Sequence, residues 1–149
     1  MARLLSEDSE CISILAITVA PTQPDADLHA GQLWQLLTLD LTSGERQLAE
    51  SCLVCRQPRD EVSELVGLLF DLLAGRRAKI LFEPAEPSFE LAVERTQEGG
   101  MKVEVWLDSG NAASGFYRWD AAGIRFYTTG ESLTSFAAEL MQEFSPESP

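Results

Sequence analysis

The stretch Glu61-Val62-Ser63-Glu64-Leu65-Val66-Gly67-Leu68-Leu69-Phe70-Asp71-Leu72-Leu73-Ala74-Gly75-Arg76-Arg77 decides the fold. Its apolar residues Val62, Leu65, Val66, Leu69, Leu72 and Leu73 recur three and four apart, which predicts a helix with a single apolar stripe. Asp60 or a near neighbour is the expected N-cap, and Glu61 and Glu64 sit in the first turn, where the helix dipole favours acids. Gly75 is a suitable left-handed residue just past the end, with Arg76 and Arg77 at the negative pole. A helix that is apolar on one side needs another layer to cover that side.

The residues on either side supply strands. Cys11 to Ala20 is apolar at nearly every position, as in an interior strand. Pro21 to Gly31 is a polar loop, after which Leu33, Leu37, Leu39 and Leu41 alternate with Trp34, Thr38, Asp40 and Thr42. Ser43-Gly44 is a tight turn, and Leu48, Cys52 and Val54 carry the alternation back as a hairpin. Beyond the helix, Ile80 and Phe82 begin a short strand closed by Pro84 and Pro87. Phe89, Leu91 and Val93 then alternate with acids, Glu98-Gly99-Gly100 turns the chain, and Met101, Val103, Val105 and Leu107 form the next strand. Asp108 to Gly115 reads as a loop, and residues 116–120 and 124–128 as a final hairpin around Ala121-Ala122-Gly123. A second helix from about Glu131 puts Leu133, Phe136, Ala137, Leu140, Met141 and Phe144 on one stripe and ends at Ser145-Pro146.

This order, β-β-β-α-β-β-β-β-β-α, predicts an α+β fold: one mainly antiparallel sheet of about seven to eight strands with both helices on one face. No internal repeat or linker is visible, so residues 1–149 read as a single domain with short disordered ends, about 1–9 and 145–149.

The chain has 149 residues, with 24 Asp and Glu against 11 Lys and Arg and one His, for a net charge of −13. Its hydrophobic share of 45% is that of a globular protein rather than of a disordered acidic chain. The charge argues against binding nucleic acid through its phosphates and against an anionic membrane surface. The N-terminus turns acidic before any signal-length apolar run, and Cys11 to Ala20 is too short to span a bilayer, so the expected location is cytoplasmic.

The motifs that could carry chemistry have simpler readings. Cys52-Leu53-Val54-Cys55 has CxxC spacing, but the only other soft ligands are the distant Cys11 and His29. In a strand, positions three apart face opposite sides, so these two thiols diverge. A redox pair belongs at a helix N-terminus, whereas these cysteines end a hairpin strand; buried structural thiols are the expectation. Asp25, Asp27 and His29 alternate along a loop and are weak candidates for a metal, without the glycine pattern of a calcium loop or a second acidic cluster. One His, no nucleophile elbow and no phosphate loop leave no catalytic residue to name and no cofactor to expect. The most informative surface lies on the last strands. If Met101, Val103, Val105 and Leu107 face the helices, then Trp106 faces away, together with Phe116, Arg118, Arg125 and Tyr127. Aromatics interleaved with arginine are an interface composition, which makes these five the candidate partner-binding residues.

Over roughly Cys52 to Phe144 the layout resembles that of the WapI-type immunity proteins of bacteria. The resemblance is carried by the helix Glu61 to Leu69, the strands around Phe89-Glu90-Leu91-Ala92-Val93 and Val103-Glu104-Val105, and the closing helix introduced by Glu131-Ser132-Leu133. It implies a protein that neutralises a toxin domain by binding it, and acid would speed association with a basic toxin. A second reading is a dimeric protein similar to the secretion chaperones, which hold an effector segment but usually begin with a helix. A small enzyme with a carboxylate or metal site is third. The first reading expects a protein partner, neither nucleic acid nor membrane, and leaves a homodimer open. Replacing Cys52 and Cys55 together by Ala should lower thermal stability and leave metal content at zero by elemental analysis; a loss of bound zinc would overturn the structural reading of these thiols.

Overall fold

The computed structural model describes residues 1–8, 10–19, 35–55, 58–84, 89–108 and 121–144. The strands are β1 (Ala2–Leu5), β2 (Ser13–Val19), β3 (Gln35–Ser43) and β4 (Arg46–Cys55), followed by helix α1 (Pro58–Leu73). Then come β5 (Lys79–Phe82), β6 (Phe89–Arg95), β7 (Met101–Asp108), β8 (Ala121–Thr128) and helix α2 (Gly130–Phe144). Both sheets are antiparallel meanders of four strands, β1-β2-β3-β4 (sheet A) and β5-β6-β7-β8 (sheet B).

The α+β class and the two helices are as the sequence predicts, but the single sheet of seven to eight strands is corrected to two separate sheets. The break falls at α1, whose 16 residues intervene between β4 and β5. The start of the chain is also corrected, because residues 2–5 form a strand instead of a disordered lead. Ala2 and Leu4 are fully buried opposite Ile17 and Leu15. Residues 145–149 lie outside the described residues. The turn expected at Ala121-Ala122-Gly123 is absent, since all three residues pair within β8 against Asp108, Leu107 and Trp106. Met141, expected on the buried stripe, is 51% exposed.

An internal repeat that the sequence does not display becomes evident in the architecture, ββββα followed by ββββα. Pairing register aligns the halves: Ala2–Ile17 matches Ile80–Val93, and Leu4–Leu15 matches Phe82–Leu91. The helices match too, since Val62, Leu65, Val66 and Leu69 have the spacing of Leu133, Phe136, Ala137 and Leu140, and all eight are buried. In its closest backbone approaches, α1 meets α2 and β5, whereas α2 meets α1, β1 and β2. Each helix thus lies against the sheet of the other half, and one apolar core draws on both sheets and both helices.

The ends are secured by polar groups. At the C-terminus of α1, Gly75 adopts φ +74°, its N–H donates to Leu72 O at 3.1 Å, and the Arg76 N–H donates to Asp71 O at 2.9 Å. That is the expected left-handed cap. Arg95, at the end of β6, adds Nη2 donations to Leu72 O and Leu73 O at 2.6 and 3.2 Å, placing a cation on the negative pole of a helix with no base in its own last turn. Arg76 and Arg77 pair with Asp71, and the Arg76 hydrogen bond, with both guanidinium charges, holds this carboxyl below its ordinary value against the opposing effect of desolvation. Thr129 caps α2 by accepting the Ser132 N–H at 3.1 Å.

β1 is an edge strand, and it and the residues flanking it are tied to α2 and β8. Glu139 of α2 accepts the Arg3 N–H at 2.8 Å, Thr128 Oγ1 donates to Leu5 O at 2.7 Å, and the Glu7 N–H donates to Tyr127 O at 2.8 Å. The Met1 ammonium pairs with Glu143. No described helix is long and apolar enough to cross a membrane. Because Leu4 lies inside the shared core, Leu4→Ala should cost about 2–5 kcal/mol in urea unfolding; an unchanged midpoint would mean that the first residues contribute no packing.

Candidate functional site

Strict alternation along β5 to β8 turns one face of sheet B toward the helices and leaves the other open. Ile80, Phe82, Leu91, Val93, Val103, Val105, Ile124 and Phe126 point inward and are buried. On the outer face, register arranges the side chains in rows across the strands. Lys79, Glu94, Lys102 and Tyr127 form the first row, and Leu81, Ala92, Glu104 and Arg125 the second. The third runs from Glu90 through Trp106 to Gly123. No described element covers this face, on which Trp106 is 39%, Leu81 54% and Tyr127 55% exposed.

Trp106 is held in place by its neighbour. A Cβ at Gly123 would fall 2.4 and 2.7 Å from indole carbons of Trp106 and 2.5 Å from Val105 O. The indole therefore rests on bare backbone, and only glycine leaves room for it. A glycine weakens a strand, and an aromatic ring laid across it from the next strand restores lost packing. The residue that looked like part of a turn is a seat for the ring.

Beside this seat, Arg125 Nε donates to Glu104 Oε1 at 2.5 Å, and Lys102 Nζ lies 3.3 Å from Glu94 and 3.8 Å from Glu104. Desolvation tends to raise the Glu104 pKa, but the Arg125 hydrogen bond and the charges of Arg125, Lys102 and Lys79 outweigh it and hold the carboxyl below its ordinary 4.5. Glu104 therefore stays ionised at neutral pH and fixes the guanidinium beside the ring. A carboxyl with a lowered folded-state pKa stabilises the fold above its ordinary value, and that contribution fades as pH falls through the lowered one.

The structure thus brings together three of the five candidate partner residues, Trp106, Arg125 and Tyr127, on one face that no described element covers. Phe116 and Arg118 lie outside the described residues, as do Asp25, Asp27 and His29. Cys52 and Cys55 are in β4 as expected. Among the described residues, no group of three or more His, Cys, Asp or Glu is placed to hold a metal ion. The sequence reading missed Leu81 and Gly123. Leu81 was detectable as the outward position of a four-residue strand, whereas Gly123 became interpretable only through its register with Trp106.

The second half-fold supplies an internal comparison. By register, Thr42 of sheet A stands where sheet B has Trp106, Asp40 where it has Glu104, and Arg3 where it has Leu81. Ala16 and Ala92 are the same residue at equivalent outward positions. The buried positions of the halves keep their character while the aromatic is confined to one outer face, so packing alone does not call for it.

These features define an α+β protein of two antiparallel meanders, with one aromatic-bearing sheet face that no described element covers. Compared with protein-family models, curated proteins and solved structures, the chain finds no match among any of the three. Gly123→Ala should displace the indole, changing Trp near-ultraviolet circular dichroism and increasing fluorescence quenching by acrylamide. Unchanged spectra would contradict the seat.

Proposed function

We propose that this chain is a protein-binding module that works through the outer face of sheet B, with no chemistry of its own. The observation that carries the reading is Trp106 seated on Gly123 beside the Glu104–Arg125 pair, on a face that no described element covers. Trp, Tyr and Arg are the residues that most often anchor protein interfaces, and a ring already fixed before binding loses little entropy on contact. Within this reading, the immunity role is a cytoplasmic protein that neutralises a toxin domain by covering it. The charge of −13 would then raise the encounter rate with a basic domain.

The test is affinity capture from a lysate of the protein's own cells. The wild type should retain one protein partner, less of it as salt rises where that partner is a basic domain, and Trp106→Ala should retain at least about ten-fold less, the loss expected for a central anchor. Equal retention by wild type and variant would remove this face from the account. No retained protein, together with a divalent metal that raises the melting temperature, would favour an enzyme instead.

A further inference from the structure

We infer that the partner seated on the outer face of sheet B is a second copy of this chain, related by a two-fold axis parallel to the strands. The inference rests on the reading of this face as a protein interface. It follows from the placement of charge. The chain carries −13, yet the described side chains of this face are three cations, Lys79, Lys102 and Arg125, and three carboxylates, Glu90, Glu94 and Glu104. By contrast, the two helices together contain seven acids and one base, Arg59. A strongly basic partner gains most from a predominantly acidic surface, to which the helices come nearer than this face does. A second copy, itself at −13, needs a contact surface that is neutral and complementary to itself, and sheet B supplies that.

Register shows the self-complementarity. A two-fold axis lying in the interface, parallel to the strands and between β6 and β7, sets each β6 against β7 of the other copy at the same level. Glu94 then meets Lys102 of the second copy, and the reciprocal pair forms with it, because these two residues share a row. In the same row Lys79 meets Tyr127 of the second copy, a cation over an aromatic face. Glu90 meets Trp106 in the third row. The small outward residues Ala92 and Gly123 keep the face low enough for two sheets to pack about 10 Å apart. Four strands about 4.8 Å apart, with about 20 Å of usable length, give a flat footprint on the order of 400 Å² per copy. Stable interfaces bury about 800 Å² per partner, so the dimer should form and dissociate readily.

Sedimentation equilibrium of the full chain, from about 10 µM to about 1 mM, spans the range expected for so small an interface. Wild type should associate to dimers, and more tightly at ~0.5 M than at ~0.05 M salt, because screening the repulsion between two acidic chains outweighs weakening two exposed ion pairs. Trp106→Ala should raise the dissociation constant at least about ten-fold. Glu94→Lys and Lys102→Glu should each be monomeric alone yet pair when mixed, since each then offers the charge the other lacks; unchanged circular-dichroism melts would show that the variants fold. Wild type monomeric throughout, or single variants that fail to pair on mixing, would overturn the inference. A monomeric wild type whose Trp106→Ala variant still loses a lysate partner would overturn the second copy and leave the interface reading in place. If Trp106→Ala alters neither measurement, both fall.

Discussion

Two sheets, each apolar on one face, must be covered at once by two helices, and every other feature of this fold is subordinate to that requirement. Fully burying a Leu or Phe side chain is worth about 1.5–3 kcal/mol, so neither sheet can leave its inner face in water. Antiparallel packing of α1 and α2 meets the demand, with Gly130 at the start of α2 approaching Leu73 at the end of α1. Each helix lies against the sheet of the opposite half, so the halves hold each other in place. Strand β1 locks the arrangement. It fills the edge of sheet A, packs Ala2 and Leu4 into the common core, donates a hydrogen bond to α2 and accepts one from the end of β8.

The same requirement accounts for the open face. With both helices committed to the inner sides, the outer sides are left to the strands' own residues. Sheet A carries small and polar groups at Ala16, Asp40 and Thr42, beside the outward Leu5. Sheet B carries an indole on a glycine, an exposed Tyr and a ladder of alternating charge. Its edge strand β5 has four residues, with Lys79 at one end and Pro84 shortly after the other, features that discourage strand-to-strand association. The chain therefore protects this edge while leaving the adjacent face available, which favours contact through side chains over contact through backbone.

Much of this was legible in the sequence. Helical and alternating periodicity gave both helices, most strands and the division of β6 to β8 into inner and outer residues, because each of these elements buries one side only. The rest depended on contacts between distant residues. β1 has four residues, too few for a periodic signal, and its stability comes from β2, α2 and β8. The repeat stayed hidden because the halves share buried character and spacing, as in Leu65 and Phe136 or Ile17 and Val93, rather than residue identity. Gly123 suggested a turn because glycine usually marks one, but here it is required by a ring on the neighbouring strand. Of the candidate site, Trp106, Arg125 and Tyr127 were placed on the face away from the helices by alternation alone. Leu81 and the seat at Gly123 needed the register.

The central claim is that two half-folds form one cooperative body by sharing their helices. Native-state amide hydrogen exchange of the intact chain tests this most directly, comparing Leu15 and Ile17 in β2 with Leu91 and Val93 in β6. The account predicts that all four exchange only through global unfolding, with one common free energy and one common denaturant dependence. A half whose amides open at clearly lower free energy than those of the other would show two independent units, and would contradict it.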